Sequence, residues 1–144
     1  MSHMLEPINL HQDKSLRPDG LTHINWSRGR CLIWDVTVTS SVASSNVARS
    51  SRECGVAAKH AETLKLRKYR ELESQFIVQP IAFECHGCPG PLTEKFLDEM
   101  TCRLFEVTED SRAGSFFEQN ISIALQRGNA KAILSTMGQL EEDD

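Results

Sequence analysis

The sequence contains no apolar run close to the roughly 18 residues that a membrane-spanning helix needs. Its first residues, MSHMLEPINLHQDK, contain no basic segment followed by an apolar one, so no secretory signal is visible. Internal repeats are also absent. The 144 residues, 40% hydrophobic and 25% charged, are typical of one globular domain. We therefore expect a nuclear or cytoplasmic protein that is neither secreted nor embedded in a membrane.

The chain also lacks a net positive charge. Its formal charge is −4, from 16 basic and 20 acidic residues, which is not typical of a nucleic-acid-binding protein as a whole. Binding depends on a local basic face, however, and one segment is strongly basic. The stretch from Lys59 to Arg70 holds five basic residues against the single acid Glu62. This stretch is either a nucleic-acid contact or a solvated helical face.

A second CxxC or an HxxxH is missing as well. Five cysteines are an odd number in a chain without a visible signal, so free thiols are expected. Cys85 and Cys88 form the one CxxC, with His86 between them. A tetrahedral zinc site needs a further ligand pair at suitable spacing. The pattern therefore favours a Gly- and Pro-rich turn over a zinc or redox module, which stays the alternative.

The hydrophobic patterns predict a mixed α/β (α+β) fold with helices flanking a sheet. Strand patterns are found at 5–10, 20–25, 31–38 and 75–83, and helical patterns at 55–74, 92–108 and 111–137. The predicted order is β-β-β-α-β-α-α, with a Ser-rich linker at 39–54. We expect an N-terminal arm or truncated start at 1–16, the domain proper at 17–138 and an acidic tail at 139–144.

The first helix has a weak apolar stripe. Its members recur at helical spacing and are Ala57, Ala61, Leu64, Lys68 and Leu72. Ala58, Lys65 and Tyr69 lie beside this stripe.

Two aspartates interrupt segments that otherwise read as strands. Asp19 stands in RPDGLT, and Asp35 stands in the middle of CLIWDVTV. Strands joined by a short turn at SRGR would place facing residues about 5 Å apart. Two carboxylates at that distance raise each other's pKa unless a cation such as Mg²⁺ intervenes. The alternatives are that Asp19 is a turn residue and that Asp35 pairs with Arg17, Arg28 or Arg30.

The series RPDGLT, WDVT, KLRKY and QRGNA resembles the restriction-like endonuclease region, of PD-(D/E)XK type, at the C-terminus of non-LTR retrotransposon open reading frames. The resemblance covers most of residues 5–137. It implies that Asp19 and Asp35 are ligands of Mg²⁺, with Mn²⁺ as a substitute. The usual lysine position, two residues after the second acid, is Thr37. The K-x-x-K-Y series on the next helix nominates Lys65 and Lys68 as catalytic residues instead.

The resemblance also implies a function, namely metal-dependent hydrolysis of DNA phosphodiester bonds. DNA would be contacted by Lys65, Arg67, Lys68, Tyr69 and Arg70, and the domain would belong to a longer polyprotein with a reverse transcriptase. That family's domain begins with a helix that would be missing here, so the chain would be a fragment or a domesticated remnant. The alternative function is therefore an inactive remnant that binds nucleic acid or another protein.

Overall fold

The computed structural model describes residues 3–5, 7, 16–40 and 54–142. Its strands are β1 (His3–Leu5), β2 (Gly20–Thr22), β3 (Leu32–Thr39) and β4 (Ile77–Glu84). Its helices are α1 (Val56–Lys68), α2 (Pro91–Thr108) and α3 (Ala113–Glu142), and a 3-10 turn at Arg70–Leu72 follows α1. Most of the predicted arm, the predicted linker from 41 to 53 and the last two residues of the predicted tail lie outside the described residues.

The four strands form one mixed sheet in the order β1-β2-β3-β4. β1 pairs antiparallel with β2, and β2 pairs antiparallel with β3. β3 and β4 are parallel along their whole length, because α1 lies between them in sequence and carries the chain back to the start of the sheet. The mixed α/β class expected from the sequence is confirmed.

The connection from β2 to β3 is a tight turn. Arg28 and Gly29 both have positive φ, at 50° and 72°, and Ser27 and Arg30 form an isolated antiparallel bridge across the turn. Glycine adopts this conformation without strain. The predicted turn at SRGR therefore brings the end of β2 beside the start of β3.

The side chains of β3 alternate between two faces of the sheet, as strand geometry requires. One face holds Ile33 and Asp35, and Ile33 packs into a buried cluster with residues from the α1 side: Leu16, Tyr69 and Leu72. The other face carries Leu32, Trp34, Val36 and Val38 towards α2 and α3. Asp35 therefore belongs to the α1 side of the sheet.

The predicted stripe of α1 is only partly buried. Ala58, Glu62 and Tyr69, which lie beside it, are buried. Within the predicted stripe, Ala57 and Leu72 are buried whereas Leu64 and Lys68 are exposed. The reason is that two charged residues, Glu62 and Lys65, face inward because their partners lie on neighbouring elements.

Helix α3 covers only part of the second sheet face. Between α3, α2 and the sheet lies an apolar groove of about 650 Å³, lined among others by Val36, Phe83, Phe117 and Leu125. None of the helices in the described part of the chain has a stretch long and apolar enough to cross a membrane.

The cysteines differ from the expectation of free thiols. Cys54 and Cys88 form a disulfide that joins the start of α1 to the turn after β4. Cys31, Cys85 and Cys102 are free thiols. The CxxC is thus divided, because the turn directs Cys88 towards Cys54 and not towards Cys85.

Candidate active site

The two predicted acids meet at the junction of β2 and β3. Gly20 pairs with Trp34, so Asp19 and Asp35 occupy the next position in the same antiparallel register. The two carboxyl groups are close enough for Asp35 to raise the pKa of Asp19. The Val36 backbone N–H also donates to Asp19 Oδ2 at 2.7 Å. The hairpin therefore creates the carboxylate pair that the sequence predicted.

The pair is electrostatically unfavourable for Asp19. Burial raises the pKa of Asp19 above its ordinary value, and the neighbouring Asp35 raises this pKa further. The hydrogen bond from Val36 and the positive charge of Lys65 act in the opposite direction but do not cancel the increase. A cation that binds between the two carboxylates would relieve this repulsion.

Lys65 is the cation that α1 brings to this pair. Its Nζ donates to Asp35 Oδ2 at 2.7 Å, and the side chains of Lys65 and Asp35 are 22% and 8% exposed. Thr37 lies on the same face of β3 as Asp35, because the two residues are two positions apart. An ammonium from the helix is therefore present beside the acids, while the usual strand position for this lysine holds a threonine.

Tyr69 lies one helical turn beyond Lys65 and is a buried neighbour of the two carboxylates. Its ring is fully buried, and its hydroxyl donates to the Arg17 carbonyl oxygen at 3.0 Å. Burial raises the pKa of Tyr69, and a hydrogen bond with Asp35 and the negative charge of both aspartates raise it further. Tyr69 was predicted to contact nucleic acid. The structure instead places it in the core, where it supports the carboxylate pair.

The other predicted lysine takes a different position. Lys68 is exposed, and its Nζ lies 4.9 Å from the centroid of the Tyr69 ring. Among the described residues, Lys65 and not Lys68 forms an ion pair with Asp35. Arg67 and Arg70 are also exposed. The end of α1 and the turn after it therefore present three basic side chains to solvent beside the acids.

Glu62 lies one turn before Lys65 on α1, and its buried role was not predicted from the sequence. The side chain is buried, and Oε1 accepts hydrogen bonds from the Thr93 N–H and hydroxyl, each at 2.7 Å. Oε2 accepts from the Leu92 N–H at 3.1 Å. A carboxylate at a helix N-terminus is favourable, so Glu62 fixes α1 against the start of α2. In the sequence, the feature that marks Glu62 is that it is the single acid in a basic stretch.

A second cluster of donor atoms lies at the opposite end of α1. One donor atom each from Cys54, Glu84 and Cys88 lies within 4.8 Å of the other two. Glu84 was visible only as the end of a strand pattern. Cys54 had no signal at all, because it stands 34 residues from Cys88.

No protein-family model matches this chain, and neither the curated proteins nor the solved structures contain a match to it. The similarity to the restriction-like endonuclease region therefore stays a prediction. The chemistry of the Asp19, Asp35 and Lys65 cluster has to be argued from its geometry.

Proposed function

We propose that this protein is a divalent-metal-dependent endonuclease domain that hydrolyses DNA phosphodiester bonds. The observation that carries the proposal is the ion pair between Asp35 and Lys65 with a second carboxylate, from Asp19, beside it. These residues come from three separate segments of the chain. Asp35 is buried and Asp19 is half-buried. Neighbouring acids in such surroundings are costly for the fold, and clusters with perturbed pKa values are concentrated at functional sites.

The cluster fits Mg²⁺, with Asp19 and Asp35 as the protein ligands. Lys65 offsets only one of the two negative charges, and hard carboxylate oxygens are the donors that Mg²⁺ prefers. Burial, followed by the neighbouring Asp35, raises the pKa of Asp19, and a bound cation would favour its ionised form. When bound, the ion would supply Lewis-acid stabilisation of negative charge on the scissile phosphate.

The protein's own groups hold the acids in place. The Val36 N–H donates to Asp19 Oδ2, and Lys65 Nζ donates to Asp35 Oδ2. The Lys65 ammonium is partly exposed, so it can also donate to an incoming water or to a phosphate oxygen. There it would orient the nucleophile and offset the negative charge that develops in the transition state.

The exposed basic side chains of Arg67, Lys68 and Arg70 suit contacts with the DNA backbone. Such contacts release counterions, so the affinity would fall steeply as the salt concentration rises. They carry no sequence information by themselves. We therefore propose a domain that binds the phosphate backbone without base-specific readout from α1.

The test is nicking of supercoiled plasmid by the purified chain in Mg²⁺ and in Mn²⁺. Asp35→Asn keeps the size of the side chain and removes its charge, and we expect a loss of at least about 100-fold in rate. Asp98→Asn, at an exposed position on α2, is the matched control and should cleave like the wild type. Circular dichroism of each variant checks the fold. A wild-type chain that nicks no plasmid with either metal contradicts the proposal.

A second candidate is a domain without catalytic activity that binds another protein. The apolar groove beside α3 and the threonine at position 37 favour it. A chain that neither nicks the plasmid nor shifts its mobility in a gel would support this candidate over the nuclease.

A further inference from the structure

The start of α1 carries a group of residues that the proposed nuclease chemistry does not use. Cys54 immediately precedes the helix, Glu84 ends β4, and Cys88 lies in the turn that follows. The structure links the two cysteines as a disulfide, and a carboxylate oxygen of Glu84 lies within 4.8 Å of both sulfurs. Two segments about 30 residues apart in sequence, Cys54 and the stretch from Glu84 to Cys88, thus bring two sulfurs and a carboxylate together.

We propose that, in the reduced protein, Cys54, Glu84 and Cys88 bind one Zn²⁺ ion. Two thiolates and a carboxylate form a donor set that zinc accepts, whereas Mg²⁺ and Ca²⁺ prefer oxygen ligands alone. Zinc binds sulfur at about 2.3 Å and carboxylate oxygen at about 2.0–2.2 Å, so donors around one ion lie roughly 3.5–4 Å apart. The observed grouping within 4.8 Å requires only a small separation of the two sulfurs.

The surroundings of Glu84 orient its carboxylate for this purpose. The side chain is 1% exposed, Oε1 accepts a hydrogen bond from the Ala57 N–H at 3.0 Å, and Oε2 lies 3.0 Å from His86 Nε2. A carboxylate has lone pairs beyond those two contacts. Outer partners of this kind orient metal ligands. The first turn of α1 also favours the negative charge of two thiolates and a carboxylate around a divalent ion.

The proposal requires that the disulfide be reduced, and a thiol of the glutathione class can do this. Two monothiols give up their hydrogens and two electrons, the Cys54–Cys88 bond breaks, and a disulfide of the reductant forms. Each cysteine thiol then loses its proton to solvent when zinc binds, so one Zn²⁺ releases two protons. Thiols of this kind persist in reducing compartments.

The neighbouring Cys85 provides an internal comparison. Its Sγ lies 3.9 Å from His86 Nδ1, and it is not part of the three-residue group. A zinc site built on the CxxC would need both Cys85 and Cys88. The proposed site needs Cys54 and Cys88, and the two possibilities therefore predict different effects of the same substitutions.

The experiment measures Zn²⁺ binding to the full chain, kept reduced, by competition with a coloured chelator. Co²⁺ as a probe adds sulfur-to-metal absorption bands. We expect one equivalent of zinc for the wild type and for Cys85→Ser. Cys54→Ser should lose at least about 100-fold in affinity, and Glu84→Gln about 10-fold or more while keeping the sulfur bands of Co²⁺. Protein with the disulfide intact should bind no zinc.

Two results would overturn the proposal. The first is reduced wild-type protein that binds less than one equivalent of zinc and gives no sulfur bands with Co²⁺. The second is a loss of zinc in Cys85→Ser while Cys54→Ser retains it, which would move the site to the CxxC. Circular dichroism shows whether each variant is folded, and Glu84→Gln tests the site with both thiols in place. The measurement uses no DNA, so its failure leaves the nuclease proposal unaffected.

Discussion

The two lysines of K-x-x-K-Y provide the sharpest test of the site, because the structure gives them different surroundings. Lys65 pairs with Asp35 at 2.7 Å, and their side chains are 22% and 8% exposed. Lys68 is exposed above the Tyr69 ring. Methionine at either position keeps an unbranched side chain and removes the charge. The prediction is that Lys65→Met damages both stability and cleavage, while Lys68→Met affects neither strongly.

The loss of stability in each variant depends on which charge the substitution leaves without a partner. Removing one partner of a buried ion pair costs about 3–5 kcal/mol, since the other charge is left uncompensated. Lys65 is about one-fifth exposed, so water recovers part of this, and we expect about 2 kcal/mol. At roughly 3 °C per kcal/mol for a chain of this size, the melting temperature should fall by about 6 °C. Lys68→Met should cost less than about 1 kcal/mol, the value of an exposed cation–π contact.

Cleavage and metal binding complete the test. Loss of a preorganised donor at the transition state costs about 100- to 1,000-fold in rate, which we expect for Lys65→Met in the plasmid assay. Mg²⁺ should also raise the melting temperature of Lys65→Met more than that of the wild type, because the ion replaces the missing positive charge. The reasoning fails if Lys65→Met cleaves and melts like Lys68→Met.

Two further predictions concern the support of the site and its charge. Glu62→Gln presents an amide donor to the N–H groups at the start of α2, and its free energy of unfolding in urea should fall by about 2–3 kcal/mol. The control Glu99→Gln, at an exposed position, should lose less than about 0.5 kcal/mol. Equal losses in the two variants would contradict the role of Glu62 as a buried cap of α2. The raised pKa of Asp19 means that the metal-free native state binds more protons than the unfolded chain between pH 3.8 and the native pKa. Its stabilising contribution is complete below pH 3.8 and is lost as the pH rises through the native pKa. Asp19→Asn should remove this part of the pH dependence in thermal melting with EDTA; an unchanged profile would contradict it.

Much of this arrangement could be predicted from local patterns. The β-branched and aromatic run around Asp35 and the turn at Gly29 predicted two adjacent strands, and strand pairing then brought Asp19 to Asp35. These features are local in sequence, and few alternative local structures are compatible with them. The alternation of the helical and strand patterns likewise predicted the mixed α/β class.

The choice between the two lysines could not be made from the sequence, and the reason is physical. Helical phase is normally read from apolar residues, but the inward face of α1 carries Glu62 and Lys65. Each of these charges is stabilised by a partner that only the tertiary structure supplies. The hydrophobic pattern therefore does not mark Glu62 and Lys65 as residues that face the neighbouring elements. The pairing of Cys54 with Cys88 is equally non-local, since no pattern relates residues 34 positions apart.

Three hydrogen bonds hold helix α1 and the residue after it in place. Glu62 accepts from Thr93 at the start of α2, Lys65 donates to Asp35 on β3, and Tyr69 donates to the Arg17 carbonyl oxygen. One inserted residue within this stretch would rotate everything beyond it by about 100° and move it about 1.5 Å along the axis. The spacing of Glu62, Lys65 and Tyr69 is therefore constrained. Asp35 and Lys65 are 30 residues apart in sequence, and any number of intervening residues that lets the two side chains form their ion pair would serve. Sequence searches for proteins with this site should accordingly keep the helix spacing rigid and leave the acid-to-lysine distance free.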